Sequence, residues 1–99
     1  MTDHPHMKIA TPILNDRRGC TAWGRVHQKF FRLSEPLSDA SYVCVSALDF
    51  AQDTQEPETF IFSCDAAGNI AFAERLPGSF RGAMDHEQAL RNAGYVVTS

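Results

Sequence analysis

The sequence feature that most constrains the fold is residues 42–50 (YVCVSALDF), which are β-branched, aromatic and apolar on both faces. A strand that is apolar on both sides is typical of the centre of a sheet. Residues 52–57 form a polar loop, and residues 59–64 (TFIFSC) have the composition of a second strand. The turn signal at 65–69 and the apolar residues that follow it predict a third strand over 70–75. The pattern therefore predicts two consecutive hairpins.

Centring each hairpin on its loop predicts a register, with Leu48 opposite Phe60 and Cys64 opposite Ile70. Because side chains alternate along a strand, each face of the sheet then collects its own set of residues. One face carries the larger side chains, namely Cys44, Ser46, Leu48, Phe60, Phe62, Cys64, Ile70 and Phe72. The opposite face carries smaller ones, namely Val43, Val45, Ala47, Thr59, Ile61, Ser63, Ala71 and Ala73.

A short helix is predicted to begin after Asp85, which forms a capping-box pattern with Gln88. Its apolar stripe consists of His86, Ala89, Leu90 and Ala93. Gly94 is suited to the left-handed stop, and residues 95–97 (YVV) predict a short terminal strand. A helix of about nine residues cannot stand alone in water, so it must dock on the sheet. We expect it to roof the face with Leu48, although the residues leave open which face is covered.

The fold class predicted from these elements is α+β, with an antiparallel meander of three to five strands and one short C-terminal helix on one face. The 99 residues are expected to form a single domain, in which residues 1–20 are a partly flexible arm because of Pro5 and Pro12. A further strand is predicted over 25–33.

Location is indicated by what the sequence lacks. No apolar run is long enough for a transmembrane helix, so we expect no membrane insertion. The first residues do not resemble a signal peptide, and three cysteines are an odd number for a disulfide framework. These observations predict a cytoplasmic protein with reduced thiols.

Motifs for catalysis or metal binding are incomplete. The histidines and cysteines form no C-x-x-C or H-x₃-H pair, so we expect no metal and no cofactor. No G-x-S-x-G motif is present, and we predict that the chain is not an enzyme. Cys44 and Cys64 are predicted to be cross-strand neighbours, and whether they pair or stay as small buried residues is left open.

Charge is unevenly distributed along the chain. Residues 1–33 carry a net charge of +4 and residues 34–99 a net charge of −7. The basic third allows nucleic-acid binding as an alternative function, although the basic residues can equally pair with acidic ones inside the fold. We do not expect nucleic acid as the main partner, because the whole chain is acidic. The residues of this alternative are Arg17, Arg18, Arg25, Lys29 and Arg32.

Residues 76–82 (LPGSFRG) cannot form a regular element, because one proline and two glycines lie so close together. The loop leads into the predicted helix, where backbone N–H groups favour an anion. A second alternative is therefore a small enzyme or anion-binding protein with a site in residues 78–86. The competing interpretation is a conformational loop in which Phe80 fills the edge of the core.

The residues 76–82 (LPGSFRG), 85–87 (DHE) and 93–95 (AGY), together with the hairpin strands before them, resemble a group of small proteins encoded by phages of actinobacteria. The resemblance covers roughly residues 42–97. It implies an accessory protein of host takeover that acts in the bacterial cytoplasm, binds a host protein and alters its activity. It implies no catalytic residues.

The smaller face of the sheet is more apolar than one short helix requires. We therefore expect it, or the loop 76–86, to bind a host protein or a second copy of the chain. Trp23, Phe30 and Phe31 of the N-terminal segment are the alternative cover for that face. The predicted partner-binding residues are Val43, Val45, Ile61, Ala71, Ala73, Phe80 and Arg81.

Overall fold

Two long strands and the turn between them are the centre of the fold. The computed structural model describes residues 7–21, 24–50, 55–72 and 74–98. Ser38 and Asp39 connect the two long strands with positive φ angles of 47° and 69°, as a tight hairpin turn requires. The elements in chain order are β1 Lys8–Pro12, β2 Arg17–Thr21, β3 Gly24–Leu37, β4 Ala40–Phe50, β5 Glu58–Cys64, β6 Ile70–Phe72, β7 Phe80–Arg81, α1 His86–Asn92 and β8 Tyr95–Val97.

The described strands form one curled, mixed sheet that resembles half of a barrel. Six strands follow the order β6-β5-β4-β3-β1-β8, while β2 pairs with β3 and β7 pairs with β5. β1 and β8 are parallel, and all other pairs are antiparallel. The prediction of one short helix on a sheet-rich α+β chain is confirmed. The predicted antiparallel meander of three to five strands is wrong.

The length of β3 explains this difference. With 14 residues, β3 pairs with β2 along its first half and with β1 near its end, so both strands extend the sheet beyond the hairpins. The expected flexible arm over residues 1–20 thus contains β1 and most of β2, and residues 1–6 lie outside the described residues. The terminal strand predicted over 95–97 is confirmed as β8, with β1 as its partner.

The side chains of β4 and β5 lie on the predicted faces, although the register of the two strands differs from the prediction. Ser46 lies opposite Phe60 and Leu48 opposite Glu58, so the pairing differs by two residues from the prediction. A shift of two keeps every side chain on its face, because the side-chain period is also two. The pair Cys64 and Ile70 is confirmed. A bulge then places Phe72 opposite Ser63 and not opposite Phe62.

Helix α1 begins and ends as predicted. The Asp85 carboxylate accepts a hydrogen bond from the Gln88 N–H at 3.0 Å, and Gly94 has a φ of +98°. The Gln88 side chain does not complete the capping box, because it donates to Asn92 Oδ1 and accepts from Arg91. The cap alone therefore fixes the start of the helix.

The helix covers the smaller face of the sheet, against our expectation that it roofs Leu48, Phe60 and Phe62. Its buried residues Ala89 and Leu90 belong to one apolar cluster with Val43, Val45 and Ile61. Small and β-branched side chains let the helix approach the strands closely. Phe31, Leu33 and Tyr95 complete this core.

The larger face of the sheet is also buried at its centre, but not by a helix. Phe30, Cys44 and Phe60 are nearly inaccessible to solvent there. The turn over 65–69 lies against this face, since a Cβ placed on Gly68 would approach both Leu14 and Phe30 to 3.1 Å. The turn therefore covers part of the centre of this face.

Candidate functional site

Three of the seven residues predicted to bind a partner are inside the protein. Val43, Val45 and Ile61 have no solvent-accessible surface and form part of the core beneath α1. Ala71 lies in β6, and Ala73 lies outside the described residues. The chain's own helix thus occupies the surface that we expected a partner to bind, and Phe31 of the neighbouring strand β3 lies in the same face of the sheet.

Phe80 and Arg81 lie in a different place, at an open cleft of about 690 Å³. Strand β5 supplies one wall of this cleft, and the loop that leads into β7 supplies the other. We call it the arginine cleft. It is lined by Glu58, Phe60, Arg75, Leu76, Pro77, Gly78, Ser79, Phe80 and Arg81.

The loop wall is fixed to β5 by two hydrogen bonds to the backbone of Ile61. On the edge of β5 that faces away from β4, no described strand pairs with Ile61, which lies between the pairings with β7 and with β6. The Leu76 N–H donates to the Ile61 carbonyl at 2.8 Å, and the Ile61 N–H donates to the Ser79 hydroxyl at 2.9 Å. The loop therefore takes the role of a strand at this position. A cleft walled in this way exists before any ligand arrives.

Gly78 explains why the loop can sit so close to α1. Its φ is +107°, and an added Cβ would lie 2.5 Å from the Ala89 carbonyl oxygen and 2.9 Å from Ile61 Cδ1. Only glycine fits between the helix and the strand in this conformation. The Asn92 side chain donates to the Gly78 carbonyl at 3.3 Å and adds a second attachment to the helix.

Two arginines face the cleft, and each is held by a neighbour on β5. Arg81 Nε donates to Glu58 Oε1 at 3.0 Å, where the Glu58 side chain is 7% exposed and that of Arg81 is 66% exposed. The guanidinium carbon of Arg75 lies 4.3 Å from the centroid of the Phe60 ring, which is a cation–π contact. Both cations are thereby positioned at the rim.

Sequence reasoning singled out Phe80 and Arg81 but not Glu58, Phe60 or Arg75 as site residues. Arg81 and Glu58 are 23 positions apart, and only the pairing of β7 with β5 brings them together. The one available signal was Arg75, which stands directly before the loop 76–82.

The anion site predicted over 78–86 is not built as expected. Ser79 donates to the Leu76 carbonyl, and the Asp85 N–H donates to Thr59 Oγ1 at 3.0 Å. The Gly82 N–H donates to the Pro57 carbonyl at 2.8 Å. These groups stabilise the loop itself, and Asp85 already caps the helix, so they are not free to bind an anion.

The basic residues of the nucleic-acid alternative are divided between the two faces. Arg17 and Arg32 lie on the face of Phe30, and Arg17 stacks on that ring at 5.2 Å. Arg18, Arg25 and Lys29 lie on the opposite face, following their pairing with β3 and β4. They do not form one continuous basic stripe of the kind that tracks a phosphate backbone.

A second polar cluster joins the start of β2 to the start of α1. His27 Nε2 donates to Asp16 Oδ2 at 2.8 Å, and this hydrogen bond lowers the pKa of the Asp16 carboxyl. His86 Nε2 donates to the His27 carbonyl at 2.8 Å, and the two rings meet edge to face. Burial lowers the pKa of His86, so its neutral form is favoured.

The exposed thiol of Cys20 lines a cavity of about 540 Å³ beside this cluster, together with Arg18, Arg25 and His27. No hydrogen bond joins Cys20 to His27, both of which the structure describes.

The remaining cysteines do not pair. Cys44 lies opposite Phe62, and Cys64 lies opposite Tyr42, so the two thiols are diagonal neighbours and both are free. Burial raises the pKa of the Cys64 thiol to about 11. Within the described ranges, no group of three His, Cys, Asp or Glu side chains is arranged to hold a metal ion.

Among the described residues there is no helix with the length and apolar character needed to traverse a bilayer. Comparison of the chain with protein-family models, with curated protein sequences and with solved structures gave no significant match.

Proposed function

We propose that this chain is a non-catalytic binding protein whose arginine cleft takes up a segment of a partner protein. The observation that carries the proposal is the cleft itself, a preformed depression of about 690 Å³ with apolar side chains on its walls and two arginines at its rim. Its volume lies within the range typical of ligand sites in proteins.

Preorganisation supports binding at this place. The wall 76–79 is held to Ile61 of β5 by two hydrogen bonds and to α1 by the close contact of Gly78. A surface that is already ordered loses little conformational entropy when a ligand binds. The cleft thus replaces the covered sheet face as the proposed partner surface.

The biological setting of the proposal comes from the resemblance to small accessory proteins of phages that infect actinobacteria. In that setting the partner is a protein of the bacterial host, and binding alters the activity of that protein in the cytoplasm. A second copy of the chain is the other partner to be tested, by light scattering of the purified protein over a range of concentrations.

The experiment is a selection of peptides from a random display library against the immobilised protein, followed by amide chemical-shift mapping with each selected peptide. We expect the largest shift changes at residues 58–60 and 75–81. Arg75→Glu should abolish binding, whereas Arg18→Glu, the same charge change outside the cleft, should leave it intact. Selected peptides that map to another surface, or that ignore Arg75→Glu, would refute the proposal.

A further inference from the structure

We infer that the arginine cleft recognises an extended acidic segment with carboxylate side chains at alternate positions, of the pattern Glu-x-Glu or Asp-x-Asp. The inference rests on the proposed function and specifies the chemistry of the partner. It follows from how the two arginines are anchored, from the distance between their anchors and from the charge of the cleft.

Each guanidinium is fixed by a different contact and keeps donors available. Arg81 uses its Nε on the buried carboxylate of Glu58, and its side chain is 66% exposed, so its terminal nitrogens are accessible to a ligand. The guanidinium carbon of Arg75 lies 4.3 Å from the centroid of the Phe60 ring, and Arg75 forms no ion pair with any described residue. A stacked guanidinium retains its N–H edge for a carboxylate, which it can bind through two parallel hydrogen bonds.

The distance between Glu58 and Phe60, which hold the two arginines, sets the distance between the carboxylates of the ligand. Glu58 and Phe60 are two positions apart on β5 and lie on the same face. Side chains two positions apart along a strand are separated by about 7 Å. Carboxylates at alternate positions of an extended peptide have this same separation, so each can meet one arginine.

The net positive charge of the cleft favours an anionic ligand. Its lining holds two arginines and one carboxylate, and that carboxylate is buried and paired with Arg81. The cleft is thus locally positive in a chain whose net charge is −3. Because Glu58 offsets the charge of Arg81, the lining keeps the net positive charge of Arg75, which an anionic ligand would neutralise.

Phosphates of a nucleic acid also present regularly spaced negative charge, but the cleft favours a peptide. Single-stranded nucleic acids bind where aromatic faces are open for base stacking. Phe60 is only 9% exposed, and its ring already carries Arg75. Leu76 and Pro77 instead offer apolar contact to the side chain between the two carboxylates.

The test uses four capped synthetic peptides of one length and one extended, β-branched background. They carry glutamates at alternate positions, at adjacent positions or three positions apart, or glutamines at the alternate positions. We expect the alternate-glutamate peptide to bind at least about tenfold more tightly than the glutamine peptide, since two charge-assisted hydrogen bonds are lost in the latter. It should also bind more tightly than the two other glutamate peptides.

Variants of the cleft residues distinguish the positioning of Arg81 by Glu58 from the effect of the net charge of the cleft. Arg75→Ala and Arg81→Ala should each remove the preference for glutamate over glutamine, and Arg18→Ala should leave it unchanged. Glu58→Gln makes the cleft more positive but releases Arg81. If Glu58 positions Arg81, this variant binds the alternate and adjacent glutamate peptides with nearly equal affinity. Retention of the full preference by Glu58→Gln would contradict the inference.

The two proposals fail in different ways. Display-selected peptides that occupy the cleft without any preference for alternate glutamates would overturn the inference and leave the proposed function standing. Failure of every peptide to shift the cleft amides would refute both. Tighter binding of an oligothymidylate than of the alternate-glutamate peptide, with loss on Arg75→Ala, would overturn the inference in favour of a nucleic-acid ligand.

Discussion

The two faces of the sheet are buried by different means. The face with Val43, Val45 and Ile61 is covered by α1, so its core is a conventional layer of helix on sheet. The face with Phe30 and Phe60 has no helix, and the curl of the sheet, a turn and two stacked arginines shield it.

This difference explains where the protein can offer a binding surface. Helix α1 closes the part of its face that holds Val43, Val45 and Ile61, because these residues have no solvent-accessible surface. The other face stays open at one edge, where Arg75 and the loop 76–79 rise beside Phe60 and form the arginine cleft. Arg75, which shields Phe60, is therefore available to a ligand at this edge, whereas the apolar residues beneath α1 are not.

The largest expected effect tests whether the face without a helix is a true core. Phe30→Ala should lower the free energy of unfolding by about 4 kcal/mol, because a buried ring is replaced by a cavity. Leu90→Ala, on the helix side, should cost about 3 kcal/mol. Urea denaturation measures both values. A cost under about 1 kcal/mol for Phe30→Ala would show that this face is not packed.

A smaller effect is expected at the loop that joins the two regions. Gly78→Ala should cost about 3 kcal/mol, because the new methyl group meets the Ala89 carbonyl oxygen and the φ of +107° is strained. Gly82→Ala is the matched control, since Gly82 has a φ of +118° but no atom within 4 Å of an added Cβ. It should cost only about 1 kcal/mol. Equal costs in thermal denaturation would mean that the loop does not pack on α1.

The titration of His86, at the start of α1, should make the free energy of unfolding depend on pH. Burial lowers the pKa of His86 below its ordinary value of 6.5, so the folded state binds fewer protons than the unfolded state in this range. The free energy of unfolding should therefore fall as the pH drops below 6.5, and level off below the folded pKa. His86→Gln should flatten this slope between pH 7 and pH 5. An unchanged slope would contradict the buried position of His86.

The smallest expected effect concerns the arginine that shields Phe60. Arg75→Ala should lower the free energy of unfolding by less than about 1 kcal/mol, because an exposed cation–π contact contributes little. Arg18→Ala, which removes an exposed arginine without such a contact, should have no measurable effect on thermal stability. A loss above about 2 kcal/mol for Arg75→Ala would assign this arginine a structural role and weaken its role in binding.

Local signals in the sequence were sufficient for the elements and for the division of the sheet into two faces. Asp85 and Gly94 mark the two ends of α1, because caps and stops are local events. The faces of β4 and β5 were predicted correctly despite the shift in register, since a shift of two preserves the alternation.

Long-range pairings were not predictable from the same signals. The parallel pair of β1 and β8 joins Lys8 to Tyr95, and nothing in either short segment specifies its partner. The cover of the smaller face and the pair of Glu58 with Arg81 depend on such pairings too. The partner surface was therefore placed in part on Val43, Val45 and Ile61, which the chain itself buries.

The most direct test of the account is the methyl–methyl nuclear Overhauser effect between Ile61 and Ala93. Ile61 Cδ1 and Ala93 Cβ each lie 2.9 Å from the position of a Cβ on Gly78, so they are at most 5.8 Å apart. We expect a cross-peak between these two methyl groups, with none from Ala93 to the rings of Phe60 or Phe62. Cross-peaks from Ala93 to those rings would place the helix on the other face and contradict the account.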